Sequence, residues 1–225
     1  MKSHSIKTVF FDYGGTLDAD GTAWKERFYP LYLARGTDVP LDEFTRAFYA
    51  ADDSLVSEGL FSENLTETVL EQVRRVFSNL GIRDREGDIL AIAGEFVRQS
   101  REHIRRNMKT LELLSRRFRL GVISNNYGNI EAICRETGLA GFMDVMVDSR
   151  LVGYEKPDAG IFLHALELAG CSPPEAVMVG DNVKRDILGA RAAGICPVLV
   201  SSGAIQDDVA CHVIGSIPEL ERLLA

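Results

Sequence analysis

The chain has 225 residues, of which 46% are hydrophobic and 26% charged, and its 33 acidic and 25 basic residues give a net charge of −8. This length suits one domain with an insertion, and a mean hydropathy of −0.01 is typical of globular proteins and excludes the membrane-spanning class. The acidic balance disfavours nucleic acids and anionic membranes, so neither is an expected partner.

The N-terminal segment predicts a strand over residues 6–12, with the sequence IKTVFFD. It lacks the long apolar run and the cleavage site of a signal peptide, so we expect a cytoplasmic protein. The four cysteines are isolated from one another, which predicts free thiols rather than a metal site.

Residues 19–108 contain no strand-like run and show helical spacing instead, enough for about four helices. Trp24, Phe28 and Tyr32 recur every fourth residue, and similar apolar stripes follow later in the segment. Such stripes are typical of core packing in a small helical bundle. The first stripe comes just after the first strand's loop, so it is also placed to roof a pocket there.

From residue 117 onward, predicted strands alternate with predicted helices. The strands are expected at 117–125, 142–147, 176–181 and 195–200, and the helices at 128–139, 158–169 and 183–193. This alternation predicts a parallel sheet covered by helices on both faces, with ligands bound at the carboxyl ends of the strands.

The predicted fold is therefore an α/β, Rossmann-like core with an inserted α-helical cap. We expect residues 1–18 and 109–225 to form the core and residues 19–108 to form the cap. Two short linkers, near residues 18–21 and 107–110, predict a hinge that closes the cap over the core.

Four polar segments follow predicted strands or open predicted helices. They are FFDYGGTLD (10–18), VISNN (122–126), GYEKPDAGIF (153–162) and VGDNVKRDILGARAAG (179–194). Each segment alone is equally typical of a turn or a helix cap. Together they place carboxylates, hydroxyls and an ammonium at one edge of the sheet, which fits phosphoryl transfer.

The residue types suggest a separate role for each of the charged residues. Asp12 is the candidate nucleophile, and it can share a Mg²⁺ ion with Asp181 through hard oxygen ligands. Lys156 supplies a positive charge for the phosphoryl oxygens, and Asp186 is placed to orient Lys156 or to support the metal site.

The remaining candidates would contact the phosphoryl group of a substrate. Thr16 and Ser124 offer hydroxyl donors to phosphoryl oxygens, while Gly14 and Gly15 let the backbone approach closely.

In this order, the four segments resemble the motifs of the haloacid dehalogenase-like (HAD) hydrolases, and the insertion resembles that superfamily's most common cap. The fourth segment is similar to that of the phosphoglycolate phosphatase-like branch. The resemblance implies a Mg²⁺-dependent hydrolase, a monomer or homodimer, that acts on a small phosphorylated metabolite through an aspartyl phosphate. It implies these roles: Asp12 and Lys156 catalytic; Thr16, Ser124, Asn125 and Gly15 substrate-binding; Asp12, Gly14 and Asp181 metal-binding; Asp186 in support.

One position departs from the phosphatases of that superfamily. They carry a second Asp two residues after the nucleophile, which offers Mg²⁺ a backbone carbonyl and serves as general acid and base, whereas this chain has Gly14. A general acid or base is typically worth about 10² to 10⁴-fold in rate. Asp18, Asp20, Tyr13 or a cap residue are the candidate replacements.

Three functions remain open at this point. The first is a phosphohydrolase with a leaving group that needs no proton, or with a replacement acid. The second is carbon–phosphorus or carbon–halogen hydrolysis; a phosphonoacetaldehyde hydrolase would need a cap lysine, and Lys25 is the only lysine between residues 19 and 108. The third is a regulatory protein that binds phosphate and metal without turnover.

A basic run lies between Arg98 and Arg119, with eight basic and two acidic residues. It indicates either steering of an anionic substrate or a solvated helix face.

Overall fold

A computed structural model of the chain describes residues 5–60, 63–201, 203 and 211–225. The core is a sheet of six parallel strands in the order β3-β2-β1-β4-β5-β6. The strands are β1 (Thr8–Phe11), β2 (Arg119–Ser124), β3 (Val145–Asp148), β4 (Ala176–Gly180), β5 (Cys196–Val200) and β6 (His212–Ile214). All four residues of β1 are buried, because helices cover both faces of the sheet, and the predicted fold class is confirmed.

Two details of the sheet differ from the sequence-based expectation. β3 begins at Val145 rather than at residue 142, because Phe142 ends a helical turn and the backbone N–H of Asp144 already donates to Leu120. β6 was not predicted: it is three residues long and two of them are exposed, so it carries almost no apolar signal.

Nine α-helices are present in the described ranges. The insertion contains α1 (Trp24–Ala34), α2 (Leu41–Glu58), α3 (Leu65–Asn79) and α4 (Glu86–Ser115). The core contains α5 (Ile130–Thr137), α6 (Ser149–Val152), α7 (Ala159–Ala169), α8 (Gly189–Ala192), which continues a helical segment over Val183–Leu188, and α9 (Leu220–Leu223).

The predicted linker near residues 107–110 is wrong as a loop, because α4 runs unbroken through it to Ser115. The helix is tied to the core on both sides of that point. Asn107 donates to the backbone oxygen of Leu17 at 3.0 Å, and Thr110 donates to Glu221 at 2.6 Å. No break in secondary structure therefore marks the predicted boundary between cap and core at residue 108.

The aromatic stripe of the insertion packs as a core. Phe28 lies flat against Phe96 of α4, with ring centroids 3.9 Å apart, and Tyr32 packs against Phe44 and Phe77. These rings belong to the same hydrophobic cluster as the sheet residues of β1, so one continuous apolar core joins the helices to the sheet.

The basic run lies mostly on α4, and three of its eight basic residues form ion pairs within the described part of the chain. Arg98 contacts Glu95 and Glu102, Arg101 contacts Glu136, and Arg116 contacts Glu112. These contacts favour the solvated helix face over steering of substrate. All four cysteines are free thiols, and no described helix is long and apolar enough to cross a membrane.

Two glycines should respond oppositely to substitution by alanine. A Cβ atom on Gly121 of β2 would lie 2.9 Å from the Phe10 ring, so Gly121→Ala should cost about 1 to 3 kcal/mol of unfolding free energy. A Cβ atom on Gly94, exposed in α4, meets nothing within 4 Å, so Gly94→Ala should stabilise by about 0.5 to 1 kcal/mol. Urea unfolding of both variants tests the pair; equal effects would contradict the packing described here.

Candidate active site

A cavity of about 430 Å³ lies where β1, β2 and β4 end, beneath α1 and α2. The wall formed by the sheet edge contains seven of the predicted or neighbouring residues: Asp12, Gly14, Ser124, Asn125, Lys156, Asp181 and Asp186. The opposite wall comes from the cap and includes Trp24, Lys25, Tyr49 and Asp52. The structure thus brings all four polar segments to one place, as the parallel sheet requires.

Lys156 is the central charge of this site. Its ammonium is buried and lies 2.5 Å from Asp12 Oδ1 and 2.7 Å from Asp186 Oδ1, and it also donates to the backbone oxygen of Ile123 at 2.9 Å. Burial alone would lower the pKa of Lys156, but the two carboxylates outweigh it and raise the pKa above its ordinary value. Lys156 is therefore a fixed positive charge.

Asn125 braces the Lys156 loop. Its side-chain oxygen accepts from the Lys156 backbone N–H at 2.8 Å, and its amide nitrogen donates to the Lys156 backbone oxygen at 3.0 Å. Both amide atoms are thus used within the protein. The predicted contact of Asn125 with substrate stays a prediction, while the bracing contact is a feature that the sequence did not indicate.

Asp12, Asp181 and Asp186 form a carboxylate cluster in which one oxygen of each lies within 4.8 Å of the others. Burial raises the pKa of Asp12 to about 6, against the opposing pull of Lys156. Burial, together with Asp12 and Asp186, raises the pKa of Asp181 to about 8. Three carboxylates share one ammonium, so the cluster carries excess negative charge when all are ionised, which is the electrostatic condition for holding a cation.

Thr16 and Gly15 lie behind this cluster rather than on the cavity wall. The Thr16 hydroxyl donates to Asp181 Oδ1 at 3.0 Å. Gly15 has a φ of 92°, and a Cβ atom there would lie 2.5 Å from Asp181 Oδ2, so only glycine fits beside that carboxylate. Their predicted phosphate contacts stay predictions; in this structure both residues position Asp181.

Trp24 occupies the space that a side chain on residue 14 would need. Gly14 has an ordinary backbone conformation, with φ −77° and ψ 114°, so its backbone does not require glycine. A Cβ atom on Gly14 would lie 3.3 Å from Trp24 Nε1, a tight contact that a shift of the indole by a few tenths of an ångström would have to relieve. The Trp24 indole therefore packs against the position at which the acidic side chain is missing.

Asp18 joins the loop after β1 to the cap. Its buried carboxylate accepts from the Gly15 backbone N–H at 2.8 Å, Trp24 Nε1 at 2.9 Å, Arg27 at 2.7 Å and Ser100 at 3.0 Å. Because the carboxylate is fully buried and does not line the cavity, it is not placed to exchange a proton with a substrate. Asp18 is a structural anchor of α1 and α4.

Sequence reasoning missed several cavity residues. Asn126 is 8% exposed and its side-chain nitrogen has no partner among the described residues, although the VISNN segment contains it. Asp52 and Tyr127 meet in a hydrogen bond across the cap–core boundary. Nothing in the spacing of residues 52 and 127 reveals this contact, because it arises from tertiary packing.

The comparisons with known proteins agree with this geometry. The chain is 33% identical to a glyceraldehyde 3-phosphate phosphatase from Methanothermobacter thermautotrophicus, over 97% of this chain and 100% of that protein. A HAD phosphatase from Thermococcus onnurineus has a similar structure, with a TM-score of 0.63 and 23% identity over 98% of both chains. A 2-haloacid dehalogenase from Pseudomonas syringae pv. Tomato shares the fold at a TM-score of 0.56 and 24% identity, over 97% of this chain and 98% of that one.

A parallel α/β sheet with a carboxylate cluster and a buried lysine at its carboxyl edge defines a class of hydrolytic enzymes. The profile of the haloacid dehalogenase-like hydrolases matches residues 6–194. The chain belongs to this family, as the order of its four polar segments predicted.

Gly14→Asp should destabilise the protein by about 1 to 3 kcal/mol, because the new carboxyl group collides with the Trp24 indole. Trp24→Ala removes the whole indole, including the Cδ1 and Nε1 atoms that face Gly14. The double variant should therefore lose less stability than the sum of the two single variants, with a coupling of about 0.5 to 3 kcal/mol in a double-mutant cycle. Strict additivity would show that the indole does not block this position.

The carboxylate cluster should make the metal-free protein less stable as the pH rises. Asp12 and Asp181 have folded-state pKa values of about 6 and about 8, above the ordinary 3.8, so between pH 4 and 8 the folded state binds protons that the unfolded state does not. The melting temperature in EDTA should fall from pH 5 to pH 8. Asp181→Asn should flatten this decline, and an unchanged slope would contradict the assignment.

Proposed function

We propose that the protein is a Mg²⁺-dependent phosphohydrolase that forms an aspartyl phosphate on Asp12 and acts on a small phosphorylated metabolite. The observation that carries this proposal is the placement of Asp12 on the cavity wall, with Lys156 2.5 Å from one of its oxygens and Asp181 in the same carboxylate cluster. A nucleophile, a fixed positive charge and a potential cation site converge there, as phosphoryl transfer needs.

The residues present fit Mg²⁺. Asp12 and Asp181 offer hard carboxylate oxygens with excess negative charge, and Gly14 adds the backbone carbonyl that we assigned to the metal. Asp186 is drawn toward Lys156 and also accepts from the Asn182 backbone N–H at 3.0 Å, so it supports the lysine more than the metal. When bound, Mg²⁺ supplies positive charge to the phosphoryl oxygens.

The chain's own residues then divide the work. Lys156 holds Asp12 Oδ1, and Oδ2, which lies 3.5 Å from the Thr16 hydroxyl, attacks phosphorus; the bond from phosphorus to the leaving oxygen breaks with its electrons on that oxygen. Ser124, buried on the cavity wall, donates its hydroxyl to a phosphoryl oxygen. Water then attacks the aspartyl phosphate, which releases inorganic phosphate and restores the Asp12 carboxylate.

The cavity supports a small substrate. A volume of about 430 Å³ falls at the low end of ordinary ligand sites. The archaeal relative is named for glyceraldehyde 3-phosphate, so a three-carbon phosphate is the first physiological candidate. Cytoplasmic location and a monomeric or homodimeric state remain part of the proposal.

A carbon–phosphorus hydrolase is the second candidate, because Lys25 lines the cavity from the cap side. An amine there is positioned in the same chamber as the nucleophile, as an imine with an aldehyde substrate would require. Trapping with borohydride in the presence of phosphonoacetaldehyde would modify Lys25 in that case and leave it unmodified in a phosphatase.

Phosphate release from acetyl phosphate and p-nitrophenyl phosphate tests the main proposal, because both leaving groups depart without a strong general acid. We expect Mg²⁺-dependent turnover by the wild type and turnover at background for Asp12→Asn. Asp38→Asn, which changes an exposed carboxylate of the cap, is the matched control and should keep full activity. Glyceraldehyde 3-phosphate follows in the same assay.

Two outcomes would contradict the proposal. Activity that survives in Asp12→Asn would exclude the aspartyl phosphate. No phosphate release by a wild type whose melting temperature rises with Mg²⁺ would favour a binding protein without turnover.

A further inference from the structure

The cavity contains one carboxylate, among the described residues, that lies outside the metal cluster. This is Asp52, which reaches the cavity from α2 of the cap, whereas Asp12, Asp181 and Asp186 belong to the sheet edge. A carboxyl group on the wall opposite the nucleophile is on the side from which a leaving group departs. Its position raises the question of whether it replaces the acid that Gly14 lacks.

The other candidate acids are less suited to the role. Asp18 accepts four hydrogen bonds, is fully buried and does not line the cavity. Asp20 faces away from the cavity wall, accepting from the Ile217 backbone N–H at 3.4 Å and lying 3.6 Å from His103. Tyr13 lines the cavity and its hydroxyl has no partner among the described residues, but burial raises the pKa of its phenol well above the ordinary value, so it stays protonated at neutral pH and cannot take a proton from water.

Asp52 has the surroundings of a proton carrier. The hydroxyl of Tyr127, on the loop after β2, donates to Asp52 Oδ1 and leaves the second carboxylate oxygen free of any hydrogen bond recorded within the described residues. Burial raises the pKa of Asp52, while Tyr127 and Arg185 act against it and Asp53 of the same helix adds to it. A carboxyl group raised in this way is protonated more often near neutral pH than an exposed one, as a general acid requires.

Tyr127 also fixes the position of Asp52 relative to the core. Its backbone oxygen accepts from the Leu60 N–H at 2.8 Å, and its ring packs in a small cluster with Leu55 and Leu60 at the end of α2. The carboxyl group is thus held across the cavity by a residue that lies three positions after Ser124.

We propose that Asp52 is the general acid and base of this enzyme, an inference that rests on the phosphohydrolase function proposed above. In the first step the proton on the Asp52 carboxyl passes to the leaving oxygen as the phosphorus–oxygen bond breaks. In the second step the Asp52 carboxylate takes a proton from the water that attacks the aspartyl phosphate, and the protonated acid is restored. Tyr127 is a positioning residue for both steps.

The test compares Asp52→Asn with Glu43→Gln, which changes an exposed carboxylate near the start of the same helix, on two phosphate esters. Glycerol 3-phosphate has an alkyl leaving oxygen that needs a proton, and p-nitrophenyl phosphate does not. With ³²P-labelled esters and a rapid acid quench, we expect Asp52→Asn to accumulate labelled phosphoenzyme from p-nitrophenyl phosphate but not from glycerol 3-phosphate. Steady-state turnover of glycerol 3-phosphate by Asp52→Asn should fall by about 10² to 10⁴-fold, whereas Glu43→Gln should match the wild type.

The pH–rate profile of Tyr127→Phe provides a second test. A purely structural role of Asp52 would leave this profile unchanged. The hydrogen bond from Tyr127 lowers the pKa of Asp52, so its loss should raise that pKa and shift the alkaline limb of the pH–rate profile for glycerol 3-phosphate to higher pH. The Asp52→Asn variant should lose this limb altogether.

Two outcomes would overturn the inference, given a wild type that cleaves both esters. In the first, Asp52→Asn keeps its turnover of glycerol 3-phosphate within threefold of the wild type. In the second, Asp52→Asn loses turnover of both esters equally and accumulates no phosphoenzyme. Failure of the underlying function looks different, because the wild type itself would then release no Mg²⁺-dependent phosphate from p-nitrophenyl phosphate or acetyl phosphate.

Discussion

The buried ammonium of Lys156 between Asp12 and Asp186 is the interaction on which the site depends. A buried lysine costs free energy unless carboxylates compensate it, and here two do so at 2.5 and 2.7 Å. The ammonium draws the loop that follows α6 against the end of β1, and Asn125 fixes the backbone of that loop from the end of β2. With Asp181 added, the carboxylates outnumber the lysine, so the same pairing that orders the loops leaves a net negative charge at the end of β1.

Asp18 plays the corresponding part for the cap. Its carboxylate binds the backbone of the loop after β1 together with Trp24 and Arg27 of α1 and Ser100 of α4. Asn107 adds a second hydrogen bond from α4, to Leu17 of the same loop. This anchoring places the Trp24 indole over Gly14. The position that lacks the acid therefore lies against α1, and the cost of introducing a side chain there is set by packing against Trp24 rather than by backbone strain.

The sequence contained enough to predict the parallel sheet and the sheet-side wall of the cavity. The strands are short apolar runs, and polar residues that follow parallel strands must meet at one edge, which is why Asp12, Ser124, Lys156 and Asp181 could be named in advance. The cap-side wall could not be predicted. Asp52 lies within an amphipathic helix where it looks like any polar residue, and its pairing with Tyr127 depends on how α2 packs. The continuity of α4 was hidden as well, since residues 107–110 carry no pattern that distinguishes a linker from the middle of a helix.

The position of a general acid determines whether proton transfer depends on the placement of the cap. An acid two residues after the nucleophile is present whenever the core is folded, whereas an acid on α2 acts only while α2 lies over the cavity. Since α1 and α4 are fixed to the nucleophile loop, the contacts that hold α2 and α3 on the core become decisive, among them Leu60 with Tyr127 and Asn129 with Thr68. In such an enzyme, proton transfer requires that the cap lie over the cavity. A substrate too large for the cap to close over would be separated from the acid and exposed to water.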